Sequence, residues 1–483
     1  MPQLDKLLKT VKKNNSGVDL DMVKLAFDFA SKAHYGQKRM SGESYIFHSL
    51  ATAQTLAEIK TDIPTIIAGI LHDVPEDTDV GLDEIEKNFG KEIKKLVEGI
   101  TKLGKVKYRG IDRYVENLKK MFVAAAQDPR VMIIKFADRL HNLRTLDALP
   151  KHKQKRIIEE TLKIYAPIAG LLGIWRLRWK LEDACFKYLD YENYKKLKEK
   201  YEIKQQKERA ELINKIKKIV SKEAKKHNLK YEINGRFKHL YSIWQKMQNK
   251  QKKFNEIYDV FAMRILVDSI SDCYKILGII HSLWKPKKNR FKDFISMPKP
   301  NGYRSLHTTV FGPEGKLIEF QIRTNQMHEE AIFGIAAHWR YKDHVRTDSR
   351  WVDEILKIQQ ESKDSKDYIN KLNLDVFSDR IFVFTPRGDV IDLPRESTPV
   401  DFAYQVHTAI GNKCVNAMVN EKIETLDTKL KNGDLVEIIV EKNRKGPNID
   451  WLKFVKTSTA KDNIKKYAKS QGIFSTIINK IKH

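Results

Sequence analysis

Lys316–Thr324, KLIEFQIRT, alternates apolar and polar side chains, the period-two pattern of a β-strand with one face in a core. Ile318, Phe320 and Ile322 are predicted to enter that core, and Glu319, Gln321 and Arg323 to project together from the other face. A second β-type run, VFAMRILV at 260–267, and interleaved helical stretches make residues 229–345 read as a mixed α/β domain. The chain before it has a different texture. Segments such as MVKLAFDFASKAH (22–34) and TIIAGILHDV (65–74) carry apolar residues at three- and four-residue spacing, which predicts an all-α domain over 1–175. Charged helical sequence at 176–228, including LINKIKKIVSKEAKKHN (212–228), reads as a connector. Beyond the α/β domain, a polar helix from about Arg350 to Leu372 occupies a linker at 346–376. RIFVFTPRGDVIDLP (380–394) and GDLVEIIVEK (433–442) then bound a small sheet module at 377–441, with one helix around VDFAYQVHTAIG (400–411). Residues 442–483 read as a basic tail with few turns and little apolar content. The expected whole is a multidomain α+β protein.

A chain of 483 residues is too long for one ordinary core. Lys and Arg number 90 against 63 Asp and Glu, an excess of 27 positive charges that would attract phosphate-rich partners. The competing reading is that much of this excess is solvated helix face, as at Lys195–Lys200 and Lys215–Lys226. The three cysteines, Cys185, Cys273 and Cys414, stand far apart with no close pair for zinc or redox chemistry, which fits a reduced cytoplasm. MPQLDKLLKT lacks a signal-peptide core, and no run of about 18 apolar residues is present to span a membrane, so a cytoplasmic protein with no membrane partner is expected.

Four candidate ligands are scattered through the helical region: His48 in YIFHSL (45–50), the pair His72 and Asp73 in LHDVPEDT (71–78), and Asp138 in FADRLHNL (136–143). Imidazoles with carboxylates suit a borderline divalent ion such as manganese and leave positions open for water and substrate. Glu76 and Asp77 each follow that pair by four residues, so a continued helical turn would stack them beside the ion, where they can orient or deprotonate a water. Pro75 opposes this, because it disfavours helical geometry at Val74 and predicts a distorted turn. Taken singly, each residue is more often a satisfied or surface side chain than a ligand.

The set resembles the HD phosphohydrolase superfamily, whose pattern is a distant His, an adjacent His-Asp and a later Asp. With AHYGQKRMSGESYIFHSL (33–50), FGKEIKKLVEGITKL (89–103) and KFADRLHNLRTL (135–146), nearly the whole first domain resembles the hydrolase domain of the RelA/SpoT family. That family removes pyrophosphate from the 3′ position of guanosine tetra- and pentaphosphate, (p)ppGpp. The resemblance implies Mn2+ held by His48, His72, Asp73 and Asp138, with Glu76 and Asp77 serving the attacking water. It also implies nucleotide contacts from Arg39, Ser41, Asn142 and Thr145. Met40 stands where the family usually has a lysine, so one cation beside the guanine pocket is missing.

In the second domain, Glu319 on the polar face of its strand can bind magnesium, with Asp259 at the start of the VFAMRILV strand as a second carboxylate. Arg236, Lys238, Lys299, Arg304 and Arg323 can neutralise charge on a triphosphate in transfer. The plainer alternative is a half-exposed strand and a turn cap. GRFKHLYSIWQKM (235–247), IYDVFAMRILV (257–267), RFKDFISMPKPNGYRSLHTTV (290–310), EFQIRT (319–324) and GIAAHWRYK (334–342) together resemble the synthetase domain of the same family. This implies a nucleotidyltransferase-like fold that transfers the β,γ-pyrophosphate of ATP to the ribose 3′-hydroxyl of GDP or GTP, with Mg2+ and with Glu319 polarising or deprotonating that hydroxyl. Tyr303 would stack on guanine, and Arg236 and Arg264 would sandwich adenine. Lys238, Ser242, Lys299, Asn301, Arg304, His307, Gln321 and Arg323 complete the implied nucleotide contacts. Arg264 lies an odd number of residues from Asp259, so a bulge or an early strand end is expected between them. RFKD at Arg290–Asp293 resembles the basic loop variant that accompanies bifunctional members.

Residues 377–441, above all DFAYQVHTAIGNKC (401–414), resemble a TGS domain, a small β-grasp-like module also found in some aminoacyl-tRNA synthetases. The resemblance makes His407 a candidate contact to transfer RNA. It adds uncharged transfer RNA and the ribosome to ATP, GDP/GTP and (p)ppGpp as expected partners. Full-length family members continue through helical, cysteine-rich and ligand-binding regulatory domains that this sequence does not include, which weakens the expectation of ribosome-coupled control. The leading expectation is an enzyme with both activities. A synthetase with a weakened hydrolase, motivated by Met40 and Pro75, and a transfer-RNA or ribosome-binding regulator working through the TGS module stay open.

Overall fold

The computed structural model describes residues 1–14, 19–104, 110–199, 205–237, 239–250, 261–288, 290–298, 302–334, 364–372, 380–431 and 433–471, with a few single positions between 355 and 362. Two compact units make up the chain, residues 1–108 with 116–347 and residues 348–483 with 109–115.

The first unit begins as a helix bundle. At its centre lies the helix Ile63–Leu71, which has no polar face and buries every residue from Thr65 to Leu71. Such a helix is stable only when neighbours surround it, and Asp21–Ala33, Ile46–Glu58, Lys91–Gly104 and Pro129–Arg144 all pack against it. His72 at its C-terminal end is thereby carried into the interior at 0% exposure. The helix Pro129–Arg144 starts where the Asp128 carboxylate accepts the Arg130 N–H, with Pro129 in the first turn.

The helix Ile63–Leu71 ends before His72, but the distortion expected at Val74 is not seen: Asp73 stays in the helical region (φ −95°, ψ −8°), its carbonyl accepts the Asp77 N–H at 2.9 Å, and Val74–Asp77 forms a new turn with Pro75 in its first turn. A proline is tolerated there because its missing N–H has no partner to lose.

The unit continues into a five-stranded mixed sheet in the order β1-β2-β5-β4-β3. The strands are β1 Tyr231–Phe237, β2 Phe261–Val267, β3 Lys292–Asp293, β4 Leu306–Phe311 and β5 Leu317–Thr324. β2 and β5 are parallel, and the other pairs are antiparallel. Ile318, Phe320 and Ile322 enter the core as the alternation predicts, beside Met263, Ile265, Leu306 and Val310. The helix Gln205–Lys226, expected to belong to a connector, adds Ile216, Val220 and Ala224 to this same core.

The sheet is tied to the bundle within the unit. Lys60 Nζ lies 2.6 Å from Glu329 Oε1. The helix Asn325–Phe333 ends at Gly334 (φ +55°), where an added Cβ would collide with the Leu172 carbonyl oxygen, so only glycine fits.

In the second unit, β6 Arg380–Phe384 pairs with β7 Val390–Pro394, while β8 Cys414–Val419 lies between β10 Val436–Val440 and β9 Lys422–Glu424. A parallel bridge from Phe384 to Leu435 joins the two small sheets. The single helix expected around 400–411 is two, Pro399–Val406 and Thr408–Lys413. Extended backbone at His407 breaks the run, and the His407 imidazole accepts the Ala409 N–H to cap the second helix. The segment read as a tail also carries structure. Ser458–Ser470 is a helix that buries Ala460, Ile464 and Ala468, and its Ala460 and Ile464 join Trp451 and Val455 in the core that holds Val400, Ala403 and Tyr404. The four-residue spacing of 460, 464 and 468 marks an apolar stripe that the basic composition conceals. Of the expected linker helix, Ser365–Lys371 is described.

Candidate functional site

Three helices and the turn after one of them meet in the bundle. His48 comes from Ile46–Glu58, His72 and Asp73 from the end of the central helix, and Asp138 from Pro129–Arg144. One ligand atom each from His48, His72 and Asp138 all lie within 4.8 Å of one another. His48 Nε2 is 3.3 Å from both Asp73 Oδ2 and Asp138 Oδ1. His72 Nε2 lies 3.2 Å from Asp73 Oδ2 without hydrogen-bond alignment.

The His72 ring places a test on the cluster. Its Nδ1–H donates to the Gly69 carbonyl at 3.0 Å, which leaves Nε2 a bare lone pair, buried and facing carboxylates. A lone pair turned toward anions is unfavourable until a cation lies between them, so this donor set fits a divalent metal ion.

Charge reinforces the arrangement. Burial pushes the Asp73 carboxyl up, but the neighbouring His72 and His48 imidazoles outweigh it and hold the group well below its usual range. Asp138 behaves alike, with burial outweighed by Lys135, whose Nζ is 2.9 Å away, and by His48. Both carboxylates are therefore ionised and ready to ligate. Glu76 shifts the other way, because burial and the neighbouring Asp73 and Asp77 charges outweigh Lys135.

Of the residues expected to contact nucleotide here, Arg39 and Asn142 join the cluster. Arg39 Nη2–H donates to Asn142 Oδ1 at 2.6 Å, and Asn142 in turn donates to Asp138 Oδ1 at 2.6 Å. Thr145 instead donates to carbonyls of its own helix end, and Ser41 is exposed, as is Met40 beside it.

Two residues that the sequence reading left without a role belong to this site. Tyr45 places its hydroxyl 2.9 Å from Asp73 Oδ2 and 2.6 Å from Asp77 Oδ2, bridging a candidate ligand and a candidate water-activating group. Thus Asp77 is linked to the cluster through its side chain as well as through its N–H, which donates to the Asp73 carbonyl at 2.9 Å. His141 Nδ1 lies 2.7 Å from His48 Nδ1 and 3.1 Å from Arg39 Nη1. Burial, with the charges of His48 and Arg39, lowers its pKa to about 3, so it stays a neutral acceptor. Helical spacing from Asp138 could have found Lys135 and His141, at three residues to either side. No local signal in the sequence marks Tyr45.

A second cluster occupies the polar face of the sheet. Gln321 Nε2 donates to Glu319 Oε1 at 2.9 Å, and His307 Nδ1 stands 3.5 Å from that oxygen. His307 Nε2 is 2.8 Å from the Tyr303 hydroxyl, and Phe294 packs edge-on against both rings. The Arg323 guanidinium lies 5.8 Å from the Tyr303 ring centre. Arg264, Tyr303, His307 and Arg323 line a cavity of about 730 Å³, whose far wall is Leu140, Arg144, Trp175 and Trp179 of the bundle. Arg304 turns to Glu330 at 2.8 Å, and Ser242 lies 2.7 Å from His239 Nε2, so neither is among the residues lining the cavity. Asp259, Lys238, Lys299 and Asn301 lie outside the described residues, as does the Arg236 side chain. A bulge or early strand end was expected between Asp259 and Arg264; Phe261 to Arg264 pair in regular register, and residues 259 and 260 lie outside the described ones.

Comparison with known proteins matches residues 26–175 to the HD domain, 235–346 to the region found in RelA / SpoT proteins, and 381–440 to the TGS domain. The chain carries the region found in RelA / SpoT proteins together with an HD and a TGS domain. It is 44% identical over 96% of its length to a GTP pyrophosphokinase of Myxococcus xanthus, of which it covers 62%. It is 45% identical over 93% of its length to a guanosine-3′,5′-bis(diphosphate) 3′-pyrophosphohydrolase of Aquifex aeolicus, covering 65% of it. With the bifunctional (p)ppGpp synthase/hydrolase SpoT of Escherichia coli it shares 43% identity over 92% of its length and 64% of that protein. The chain thus spans a little less than two thirds of the length of these curated relatives. Among the described residues no helix is long and apolar enough to cross a membrane.

Proposed function

We propose that this chain is a bifunctional alarmone enzyme of the cytoplasm, hydrolysing (p)ppGpp in the helix bundle and making it on the sheet. The observation that carries the reading is the convergence of His48, His72, Asp73 and Asp138 in one unit with a separate face bearing Glu319, Tyr303, His307 and Arg323. In the bundle, a bound divalent ion, manganese in this reading, would lower the pKa of water and polarise phosphate oxygens. Glu76 and Asp77 take the proton as the water oxygen bonds to the 3′ phosphorus. The 3′-oxygen–phosphorus bond breaks, and pyrophosphate and GDP or GTP leave. Arg39 and Asn142, already joined to the ligand set, orient the nucleotide.

On the sheet, Glu319 accepts the proton of the ribose 3′-hydroxyl as that oxygen attacks the β-phosphorus of ATP, and AMP departs. Magnesium held by Glu319 and Asp259 would share the phosphate charge with Arg323. Tyr303 stacks on guanine and Arg264 on adenine, and the cavity is large enough for nucleotide binding.

Incubation with ATP, GDP and Mg2+, and separately with ppGpp and Mn2+, tests the two halves by chromatography of the labelled nucleotides. Lack of turnover in both defeats the reading. The grip of Tyr45 on Asp77 favours a working hydrolase over a weakened one. His407 is exposed, which supports a transfer-RNA contact through the TGS domain. Salt-sensitive binding of uncharged transfer RNA, weakened by His407→Ala, checks that role.

A further inference from the structure

His34 is buried to 2% exposure, close to the bundle site but outside the ligand set. It touches two arms, and both end on Asp77. In one, His34 Nδ1 lies 2.8 Å from Gln37 Oε1, and Gln37 Nε2 donates to the Asp77 backbone carbonyl at 2.7 Å. In the other, the His34 ring stacks on Tyr45, with centroids 4.6 Å apart and planes 16° from parallel, and the Tyr45 hydroxyl reaches the carboxylates of Asp73 and Asp77.

The donor pattern sets the His34 tautomer. Gln37 uses its NH2 on Asp77, so its carbonyl oxygen faces His34, and Nδ1 must carry the proton. The backbone supports the same geometry. Gly36 (φ +78°) turns the chain after His34, and the Tyr45 N–H donates to the Gln37 carbonyl at 3.1 Å, closing the loop that also carries Arg39.

We infer that His34 is a positioning residue for (p)ppGpp hydrolysis, rooting a two-armed clamp that holds the Asp77 backbone and carboxylate at the distance from Asp73 that the attacking water requires. The inference rests on the hydrolase reading above. The clamp adds to the backbone turn that already joins the two residues, in which the Asp77 N–H donates to the Asp73 carbonyl at 2.9 Å, and it is the side chains that fix the Asp77 carboxylate.

The full-length chain is assayed as wild type, His34→Phe, His34→Asn and Gln37→Glu. Phe keeps the stacked ring without the donor, Asn restores a donor near Nδ1, and Glu puts an acceptor against the Asp77 carbonyl. The expected result for His34→Phe and Gln37→Glu is a Mn2+-dependent hydrolysis kcat lowered about ten- to a hundred-fold, with KM for ppGpp held within about two-fold and the synthetase rate unchanged. Partial recovery is expected in His34→Asn. In metal-free protein, hydrogen exchange at the Asp77 and Thr78 amides should rise about ten-fold in His34→Phe. Unchanged kcat and exchange, or equal loss of both activities with a lower melting temperature, overturns the inference. If the wild type turns over no ppGpp, the hydrolase reading itself fails and the inference falls with it. A wild type that hydrolyses beside an unaffected His34→Phe removes the inference alone.

Discussion

In the bundle, ligating side chains far apart in sequence meet because an all-apolar helix carries His72 inward and its neighbours bring His48 and Asp138 to the same point. On the sheet, Glu319, Gln321 and Arg323 share one face of one strand, and His307 joins them from the adjacent strand across the Gln321 register. The first site depends on how helices pack and the second on a two-residue repeat. The bundle site therefore has many supporting side chains, among them Tyr45, His141, Lys135 and Asn142. On the sheet, backbone pairing sets the register of Glu319, Gln321 and His307, and Gln321 hydrogen-bonds Glu319.

The sharpest division between the two regions is between their own essential groups. Asp73→Ala should lower Mn2+-dependent ppGpp hydrolysis on the order of 10³-fold while synthesis from ATP and GDP continues. Glu319→Gln should do the converse, with synthesis falling about 10²- to 10⁴-fold and hydrolysis preserved. A variant that silences both activities would mean that the regions are not separate. At the next level, His141→Ala should weaken Mn2+ binding about 10- to 100-fold by calorimetry, because it removes one partner of His48 Nδ1, which also lies 2.9 Å from Arg39 Nη1. Unchanged affinity would show that packing and Arg39 suffice to orient His48.

On the sheet side, Gln321→Leu deletes one hydrogen bond to a carboxylate, worth about 1.5–3 kcal/mol at most. Since β5 still aims Glu319, the synthetase rate should drop only several-fold. A loss as large as that of Glu319→Gln would erase the contrast between strand-held and side-chain-held sites.

Much of this was legible in the residues. Alternation over 316–324 correctly assigned Ile318, Phe320 and Ile322 to the core, and the apolar spacing over 65–74 announced a helix. Other features were not legible. The helix Ser458–Ser470 was masked by its lysines, although Ala460, Ile464 and Ala468 form a stripe. The break at His407 depends on its imidazole folding back as a cap, a choice that local helical pattern does not reveal.

Outside 400–413 and 458–470, residue type and spacing determined the helical or strand character of the main segments, which faces are apolar, and which side chains can ligate, titrate or stack, since these follow from short-range geometry and intrinsic chemistry. Tertiary structure alone decided that Tyr45 spans Asp73 and Asp77, that His34 touches both arms reaching Asp77, that Gln205–Lys226 belongs to the sheet's core, and that Thr145 and Arg304 turn to other partners. Each of those contacts joins residues whose approach is set by packing among several elements, and such packing depends on the whole core at once.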